Sequence, residues 1–231
     1  MDTIRQNLEW VLERIAHAAE RSGRNQEAVQ LMAVTKTQPR AVVEKAYAAG
    51  IRLFGENRLL EAQEKYAHFQ NDVELHLIGH LQRNKAKIAA GLVSCVQSID
   101  KMETAVVLDR YCAVLEKKMD ILLEVNTSGE ESKQGFRSFS DLERFLDGTQ
   151  KLPWLRLRGL MTIAPFSSDT DKVRQSFRML KHYFDTLRIG FSPHEFTILS
   201  MGMSSDFEIA IEEGSNLVRI GTSLFGERDK V

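Results

Sequence analysis

A lysine at the end of an apolar run is the first residue of the sequence with clear chemical potential. The segment LMAVTKTQPR covers residues 31–40, and strand alternation puts Met32, Val34 and Lys36 on one face. If that face points into a barrel, the lysine stands at its inner mouth. An amine that is partly desolvated there loses proton affinity and becomes a nucleophile towards aldehydes and ketones. Taken alone, the segment favours a simpler interpretation, a lysine that extends to solvent from a strand end.

Two glycine-containing loops late in the sequence have the composition of anion-binding turns. SMGMSSD (residues 200–206) and RIGTSLFG (residues 219–226) each place glycine and hydroxyl side chains before a helical segment. Glycine lets the backbone approach an anion, and N–H groups at a helix start point towards it. Ordinary helix capping would explain one such loop. Two of them, opposite a lysine, indicate a phosphorylated carbonyl compound, and pyridoxal phosphate fits that description.

Arg219 is a third candidate, because in LVRIG it shares a strand face with Leu217 and Gly221. A guanidinium does not titrate near neutrality, so opposite a pyridine nitrogen it would discourage protonation of the ring. A cofactor held in this way suits limited proton transfer or simple binding. The alternative is an internal ion pair, for which Glu124 is the candidate partner. The sequence leaves both interpretations open.

These residues need a regular fold to position them, and strand and helix patterns alternate along the chain. Helix-forming segments such as PRAVVEKAYAAG separate the β-rich runs. The strand candidates are AVQLMAVT, IRLFG, ELHLIG, LVSCVQSI, MDILLEVNT, LRLRGLM, FTILSM and NLVRIGT. This alternation, without a Pro/Gly-rich linker, predicts an α/β fold, a single (β/α)8 TIM barrel with an extra N-terminal helix. An open, doubly wound sheet is the alternative.

We expect one domain over residues 1–231, with residues 1–28 as an N-terminal helical extension and residues 29–228 as the barrel. In a TIM barrel the chemistry lies at the C-terminal ends of the strands. Polar and glycine residues follow the predicted strands at those ends. They include Lys36, Asn57, His80, Ser98, Asn126, Thr162, Ser200 and Gly221.

The composition argues against several classes of partner. Of the 231 residues 43% are hydrophobic, and the formal net charge is −1 with basic residues spread along the chain. This balance gives no electrostatic footprint for nucleic acid or an anionic membrane. The N-terminus lacks the apolar core of a signal peptide, and Cys95 and Cys112 have no metal-type spacing. We expect a cytoplasmic protein whose cysteines are free packing residues.

Two further patterns are interpreted as structural features and not as functional sites. His76 and His80 in HLIGH lie on one strand face, but two imidazoles without a third ligand make a weak metal site. Interior hydrogen bonding is the default for them. Charged helix segments such as EAQEKY, residues 61–66, are interpreted as solvated surface.

Six motifs together resemble one known family. They are LMAVTKTQP, FGENRLLEAQEK, LHLIGHLQRNK, LLEVNTSGEESKQGF, LRGLMTIAP and LSMGMSSDFEIAIEEGSNLVRIGTSLFG. In this order, from about residue 29 to residue 228, they closely resemble the pyridoxal phosphate homeostasis proteins, the YggS/PROSC family. That family is similar to the N-terminal barrel of alanine racemase, the fold type III class of pyridoxal phosphate proteins.

The resemblance implies roles for individual residues. It makes Lys36 the lysine that holds pyridoxal 5′-phosphate as an aldimine, and it places Arg219 opposite the pyridine nitrogen. Asn57 would lie beside the ring, with His80 and Met161 lining the same mouth. The phosphate would be bound by Ser200, Ser204, Gly221 and Thr222.

The resemblance also implies a function, which is to bind, carry or buffer pyridoxal phosphate and support vitamin B6 and amino-acid homeostasis without established catalysis. We expect transient contact with pyridoxal phosphate-dependent apoenzymes, and a monomer or weak dimer. A low-activity amino-acid racemase is the alternative, but racemisation needs two acid/base groups and Lys36 supplies one. Four tyrosines are predicted in helices away from the mouth: Tyr47, Tyr66, Tyr111 and Tyr183. A class I aldolase-like barrel that acts on a sugar phosphate is a further hypothesis.

Overall fold

The computed structural model describes residues 3–67, 69, 72–149, 151–192 and 194–226 of the chain. Parallel strands form a closed barrel in the order β1 to β8, and β1 pairs with β8 to complete it. The strands are β1 (Gln30–Val34), β2 (Leu53–Glu56), β3 (Glu74–Leu77), β4 (Cys95–Ile99), β5 (Met119–Glu124), β6 (Leu155–Met161), β7 (Ile198–Met203) and β8 (Leu217–Ile220). The predicted (β/α)8 barrel is confirmed, and the alternative of an open sheet is wrong.

Helices connect successive strands, as the helix-forming segments predict, and further helices precede β1 and follow β8. They are α1 (Thr3–Arg21), α2 (Arg40–Ala48), α3 (Leu59–Tyr66), α4 (Ala86–Leu92), α5 (Met102–Val114), α6 (Phe139–Thr149), α7 (Thr170–Arg188), α8 (Phe207–Glu212) and α9 (Thr222–Phe225). Every predicted strand exists, although most are shorter than the apolar runs that indicate them. Strand β7 instead continues past the predicted end at Met201 to Met203.

Apolar side chains fill the space on both faces of the barrel wall. Between the strands and the helices lies a large core, in which Phe54 and Phe177 are fully buried. Inside the barrel a smaller cluster contains Cys95, Leu122 and Met161. Burial on both faces explains why these strands appear in the sequence as nearly continuous apolar runs.

Helix α1 precedes the barrel and packs against its last units, α8 and α9. Nδ2 of Asn7 donates a hydrogen bond of 2.9 Å to the carbonyl oxygen of Leu224. Arg21 forms ion pairs with Glu208 and Glu212 on α8. The predicted N-terminal helix is therefore present and covers the junction where the barrel closes. In the part of the chain that the structure describes, no helix combines the length and apolar character needed to cross a membrane.

Candidate functional site

A cavity of about 660 Å³ opens at the C-terminal ends of the strands, the end at which TIM barrels place their chemistry. It brings together most of the predicted site residues, from β1, β2, β7 and β8. They are Lys36, Asn57, Ser204, Arg219, Gly221 and Thr222. Apolar side chains that include Ile78, Ile163 and Phe166 form another part of its wall. The cavity therefore presents an amine, a guanidinium and several neutral donors to one shared, open volume.

Three predicted residues do not line this cavity. Met161 is fully buried in the barrel interior against Cys95 and Leu122, so the structure does not bring it to the mouth. Ser200 is fully buried within β7. His80 is exposed and lines neighbouring compartments instead.

The loops after β7 and β8 meet through one serine hydroxyl. Oγ of Ser204 accepts hydrogen bonds from the backbone N–H groups of Gly221 and Ser223, each at 3.2 Å. Gly202 has a φ of +96°, and an added Cβ would lie 2.6 Å from Cβ of Ala210. Glycine therefore permits both the left-handed backbone and the close approach of β7 to α8. The two loops form a set of neutral hydroxyl and N–H groups of the kind that binds phosphate.

Arg219 lies in the barrel interior just below the mouth and is only 4% exposed. Its guanidinium donates to Oγ of Ser200 at 2.8 Å and to the carbonyl oxygen of Thr162 at 2.6 Å. Burial lowers the pKa of Arg219 to about 10, against the attraction of Asp206 and Glu124, so the group stays charged at neutral pH. Within the described residues it forms no ion pair, so the structure does not support the alternative interpretation, in which Arg219 pairs with Glu124.

A chain of hydrogen bonds continues from Arg219 across the barrel interior. The hydroxyl of Ser200 donates to Oε1 of Gln97 at 2.7 Å. The amide nitrogen of Gln97 donates to Nδ1 of His76 at 2.8 Å, and Nε2 of His76 lies 2.8 Å from Oε1 of Glu74. The predicted interior hydrogen bonding is confirmed for His76 and is wrong for His80, which is exposed. The chain also explains the position of Ser200, because its hydroxyl is occupied on both sides below the mouth.

Glu124 is a titratable group near the mouth that the sequence indicates only as an ion-pair partner. Its side chain is 8% exposed at the end of β5. Burial raises the pKa of Glu124 to about 7, with repulsion from Asp100 acting in the same direction and attraction from Arg219 opposing it. It lines a compartment of about 300 Å³ that shares Ile78 and Ile163 with the main cavity. Glu124 can therefore gain or lose a proton near neutral pH beside the main cavity.

Helix α3 places charged groups directly behind Lys36, where the sequence pattern predicts a solvated surface. In EAQEKY, Glu64 is exposed but Lys65 is only 7% exposed. Nζ of Lys65 donates to the carbonyl oxygen of Thr35 at 2.6 Å, and the hydroxyl of Tyr66 lies 2.7 Å from Oγ1 of Thr35. The prediction of solvated surface is therefore wrong for the end of this segment. The signal that could have indicated these contacts is the spacing of Glu and Lys four positions apart.

The cysteines behave as the sequence predicts. Cys95 and Cys112 are both free and buried. Burial raises the pKa of the Cys112 thiol to about 11, so it is protonated at neutral pH. Across the described ranges, no three His, Cys, Asp or Glu side chains are grouped so as to hold a metal ion.

Comparison with known proteins identifies relatives over almost the whole chain. The family model for the N-terminal domain of alanine racemase matches residues 2–229. A protein of Aquifex aeolicus (strain VF5) named pyridoxal phosphate homeostasis protein is 41% identical over 227 residues, which cover 96% of this chain and 97% of that protein.

Solved structures are also similar to this chain over nearly its whole length. The structure of PipY from Synechococcus elongatus PCC7942 with PLP bound is 36% identical, with a TM-score of 0.80, and the match covers 92% of this chain and 100% of that one. Alanine racemase from Bacillus anthracis is 20% identical, with a TM-score of 0.71, over 100% of this chain and 57% of that one. At the latter identity the likeness shows the fold alone.

Proposed function

Because the chain belongs to the family of pyridoxal phosphate homeostasis proteins, we propose that its mouth cavity binds pyridoxal 5′-phosphate and thereby supports vitamin B6 and amino-acid homeostasis. The observation that carries the proposal is that Lys36, Arg219 and the loop residue Ser204 line one cavity. Pyridoxal phosphate has an aldehyde, a ring nitrogen and a phosphate. An amine, a guanidinium and neutral donors are suitable partners for these three groups.

Each group of the cofactor is assigned a partner from this chain. The amine of Lys36 condenses with the aldehyde carbon, with loss of water, to form a Schiff base. Arg219 would face the ring nitrogen, where its fixed positive charge would discourage protonation of the ring. Asn57, which also lines the cavity, would lie beside the ring. When bound, the cofactor supplies an electrophilic carbon and an electron-accepting ring.

The phosphate is assigned to the loops after β7 and β8. Ser204, Gly221 and Thr222 line the cavity there with hydroxyl and backbone donors. Ser200, which the resemblance also implies as a phosphate ligand, is better assigned to holding Arg219. Its hydroxyl contacts Arg219 at 2.8 Å and Gln97 at 2.7 Å below the mouth.

A carrier role without turnover is the function that this geometry supports best. The four tyrosines that could act as a second acid/base group belong to the helices outside the barrel. They are Tyr47 on α2, Tyr66 on α3, Tyr111 on α5 and Tyr183 on α7. We propose that the bound cofactor exchanges with pyridoxal phosphate-dependent apoenzymes during transient contact, and that the protein acts as a monomer or weak dimer.

The first experiment locates the bond. The protein is incubated with pyridoxal phosphate, reduced with borohydride and digested, and the modified peptide is identified by mass spectrometry. We expect one pyridoxyl group on Lys36 and none on the Lys36→Ala variant. That variant should remain folded by circular dichroism, because the side chain lies at the mouth and not in the packed layers. Adducts scattered over surface lysines would contradict the proposal.

One observation favours a second candidate function, a low-activity amino-acid racemase. Glu124, whose pKa is raised to about 7 by burial, lines a compartment that adjoins the cavity of Lys36. A general acid/base is most effective when its pKa is near the working pH. Incubation with amino acids in deuterium oxide distinguishes the two functions. Deuterium entry at Cα that is lost in both Lys36→Ala and Glu124→Gln would favour the racemase, whereas we expect no exchange that depends on Lys36.

A further inference from the structure

Lys36 lies between two peptide groups that helix α3 holds. The carbonyl oxygen of Thr35, in the peptide before Lys36, accepts a hydrogen bond from Nζ of Lys65 at 2.6 Å. The N–H of Thr37, in the peptide after Lys36, donates to Oε1 of Glu61 at 2.5 Å. Both main-chain connections of the lysine are therefore fixed by side chains of one helix.

The two side chains that hold these peptides also bind each other. Nζ of Lys65 lies 2.5 Å from Oε1 of Glu61 and 2.9 Å from Oε1 of Glu56. The hydroxyl of Thr35 donates to the same oxygen of Glu56 at 2.7 Å. The side chain of Lys65 is 8% exposed and that of Glu56 is fully buried, so salt screens these charges only weakly. Charge-assisted hydrogen bonds in such a setting restrict geometry more than exposed surface pairs do.

Glu61 remains an acceptor at neutral pH. Burial raises the pKa of Glu61, but hydrogen bonds from Lys65 and from the N–H of Thr37 outweigh burial and leave the pKa below its ordinary value. Burial instead raises the pKa of Glu56, although hydrogen bonds from Lys65 and Thr35 oppose this. The carboxylate that accepts the hydrogen bond from the peptide after Lys36 therefore keeps its charge at neutral pH.

The backbone next to Lys36 is strained. Thr37 has a φ of +65°, in the left-handed region that β-branched residues seldom adopt. Such a conformation persists where surrounding contacts impose it, and it is common at ligand sites. The hydrogen bond from Thr37 to Glu61 is a contact of this kind. Release of that bond would let the chain relax directly beside Lys36.

We propose that Lys65 and Glu61 are positioning residues, which hold the backbone of Lys36 so that its amine stays directed into the mouth cavity. This inference rests on the proposed function, since it concerns how the amine meets the cofactor aldehyde. Lys65 is not among the residues that line the cavity, and it acts through the main chain. Reactions between bound groups are sensitive to misplacement of about 1 Å, which can cost roughly 100-fold in rate.

The experiment compares two ligands on a small set of variants. Pyridoxal phosphate reports the condensation with Lys36, and its rate is followed by absorbance after rapid mixing. Pyridoxine 5′-phosphate has an alcohol in place of the aldehyde, so its affinity, measured by calorimetry, reports the phosphate and ring contacts alone. The variants are Glu61→Ala, Glu61→Gln, Lys65→Met and the double variant Lys65→Met/Glu56→Gln, with Glu64→Ala as the control.

The variants are chosen to separate charge, hydrogen bonding and folding. Glu61→Gln keeps an oxygen that can accept the Thr37 N–H. Lys65→Met leaves the carboxylate of Glu56 buried without its cation, which destabilises the fold. The double variant removes that carboxylate charge as well. Glu64 lies on the same helix but is exposed, so its removal should change neither measurement.

We expect Glu61→Ala and the double variant to condense with pyridoxal phosphate about 10- to 100-fold more slowly, with unchanged affinity for pyridoxine phosphate. Glu61→Gln should recover much of the rate. In the unliganded protein, exchange of the Thr37 amide hydrogen with solvent should accelerate in Glu61→Ala and remain slow in Glu61→Gln.

Two outcomes would overturn the inference alone. One is that Glu61→Ala and the double variant both condense with pyridoxal phosphate at the wild-type rate. The other is that these variants lose affinity for both ligands in parallel, which would indicate a general structural role. If the wild-type protein itself forms no adduct on Lys36, the proposed function fails and the positioning role fails with it. The wild-type reaction therefore distinguishes the two failures.

Discussion

The two sides of the mouth cavity are built from different kinds of interaction. At the end of β1, charged side chains of Lys65 and Glu61 hold the backbone at 2.6 and 2.5 Å. On the neighbouring side, the loops after β7 and β8 are joined by uncharged contacts of 3.2 Å to Oγ of Ser204. The first side depends on matched ions, and the second depends on how closely backbone segments approach each other. We therefore expect the first to fail when the side chain that binds the backbone is removed and the second to fail when an atom is added.

The largest effect is expected from an added methyl group on the uncharged side. Gly202→Ala forces a residue with a side chain to a φ of +96° and puts its Cβ 2.6 Å from Cβ of Ala210 and 2.9 Å from Cα of Phe207. The left-handed backbone costs about 1–2 kcal/mol, and overpacking costs about 1–3 kcal/mol more. Denaturant unfolding should therefore show a loss of about 2–5 kcal/mol in the free energy of unfolding.

Gly50→Ala is the matched control for this variant. Gly50 has a similar φ of +101°, but an added Cβ there meets no atom within 4 Å. Its loss of stability should be limited to the backbone cost of about 1–2 kcal/mol. Equal losses in the two variants would show that the close approach of β7 to α8 is unimportant.

A smaller effect should come from a charge at the mouth that lacks a matched ion. Among the described residues no cation lies within ion-pair distance of Glu124, in contrast to Glu61. Burial raises the pKa of Glu124 from 4.5 to about 7, so the folded protein binds this proton more tightly than the unfolded chain does. The stability linked to this proton is present below pH 4.5 and is lost as the pH rises through about 7.

Glu124→Gln tests this linkage, because the amide stays neutral at every pH. We expect the variant to match the wild-type protein near pH 4.5 and to be more stable by up to roughly 3 kcal/mol at pH 8. Urea unfolding of both proteins at the two pH values measures the difference. A difference that does not change with pH would mean that ionisation of Glu124 costs the fold nothing.

The smallest effect is expected from the hydroxyl that joins the two loops. Ser204→Ala removes the acceptor for the N–H groups of Gly221 and Ser223. It also removes the hydroxyl that we assign to the phosphate. One hydrogen bond contributes about 1 kcal/mol net, so affinity for pyridoxine phosphate should fall about 5- to 10-fold. Titration calorimetry measures this, with Ser140→Ala on the exposed surface of α6 as the control. An unchanged affinity would mean that the phosphate binds elsewhere.

Much of the architecture can be predicted from the sequence, because strand alternation and helix spacing are local properties. The pattern in LMAVTK places Lys36 at a strand end, and the glycine and serine content of the late loops indicates the uncharged side. Prediction from the sequence fails where the register between paired strands decides which side chain reaches the mouth. The pairing of β7 with β8 shifts between Ser200 and Met203. Alternation therefore does not show which serine of SMGMSSD reaches the mouth, and the structure brings Ser204 there instead of Ser200.

The contacts of α3 are beyond prediction for a different reason. Helical periodicity shows that EAQEKY has a charged face, but not that its last turn rotates Lys65 against the end of β1. That rotation depends on packing between the helix and the barrel. The missing ion pair of Arg219 is similar, because strand faces alone give no distance to Glu124 across the barrel. In both cases the sequence indicates the residue types correctly, and tertiary packing determines their partners.

The closure of the barrel between β1 and β8 has a consequence for how the chain folds. Asn7 contacts Leu224 across 217 positions of sequence, and Gln30 on β1 is paired with Leu217 on β8. During synthesis, strand β1 leaves the ribosome long before its neighbour β8 exists, so one edge of the nascent sheet stays unpaired until β8 has been made. Such non-local pairing slows folding and leaves that edge exposed to association with other chains. The barrel therefore cannot close until β8, the last of its strands to be made, is available to pair with β1.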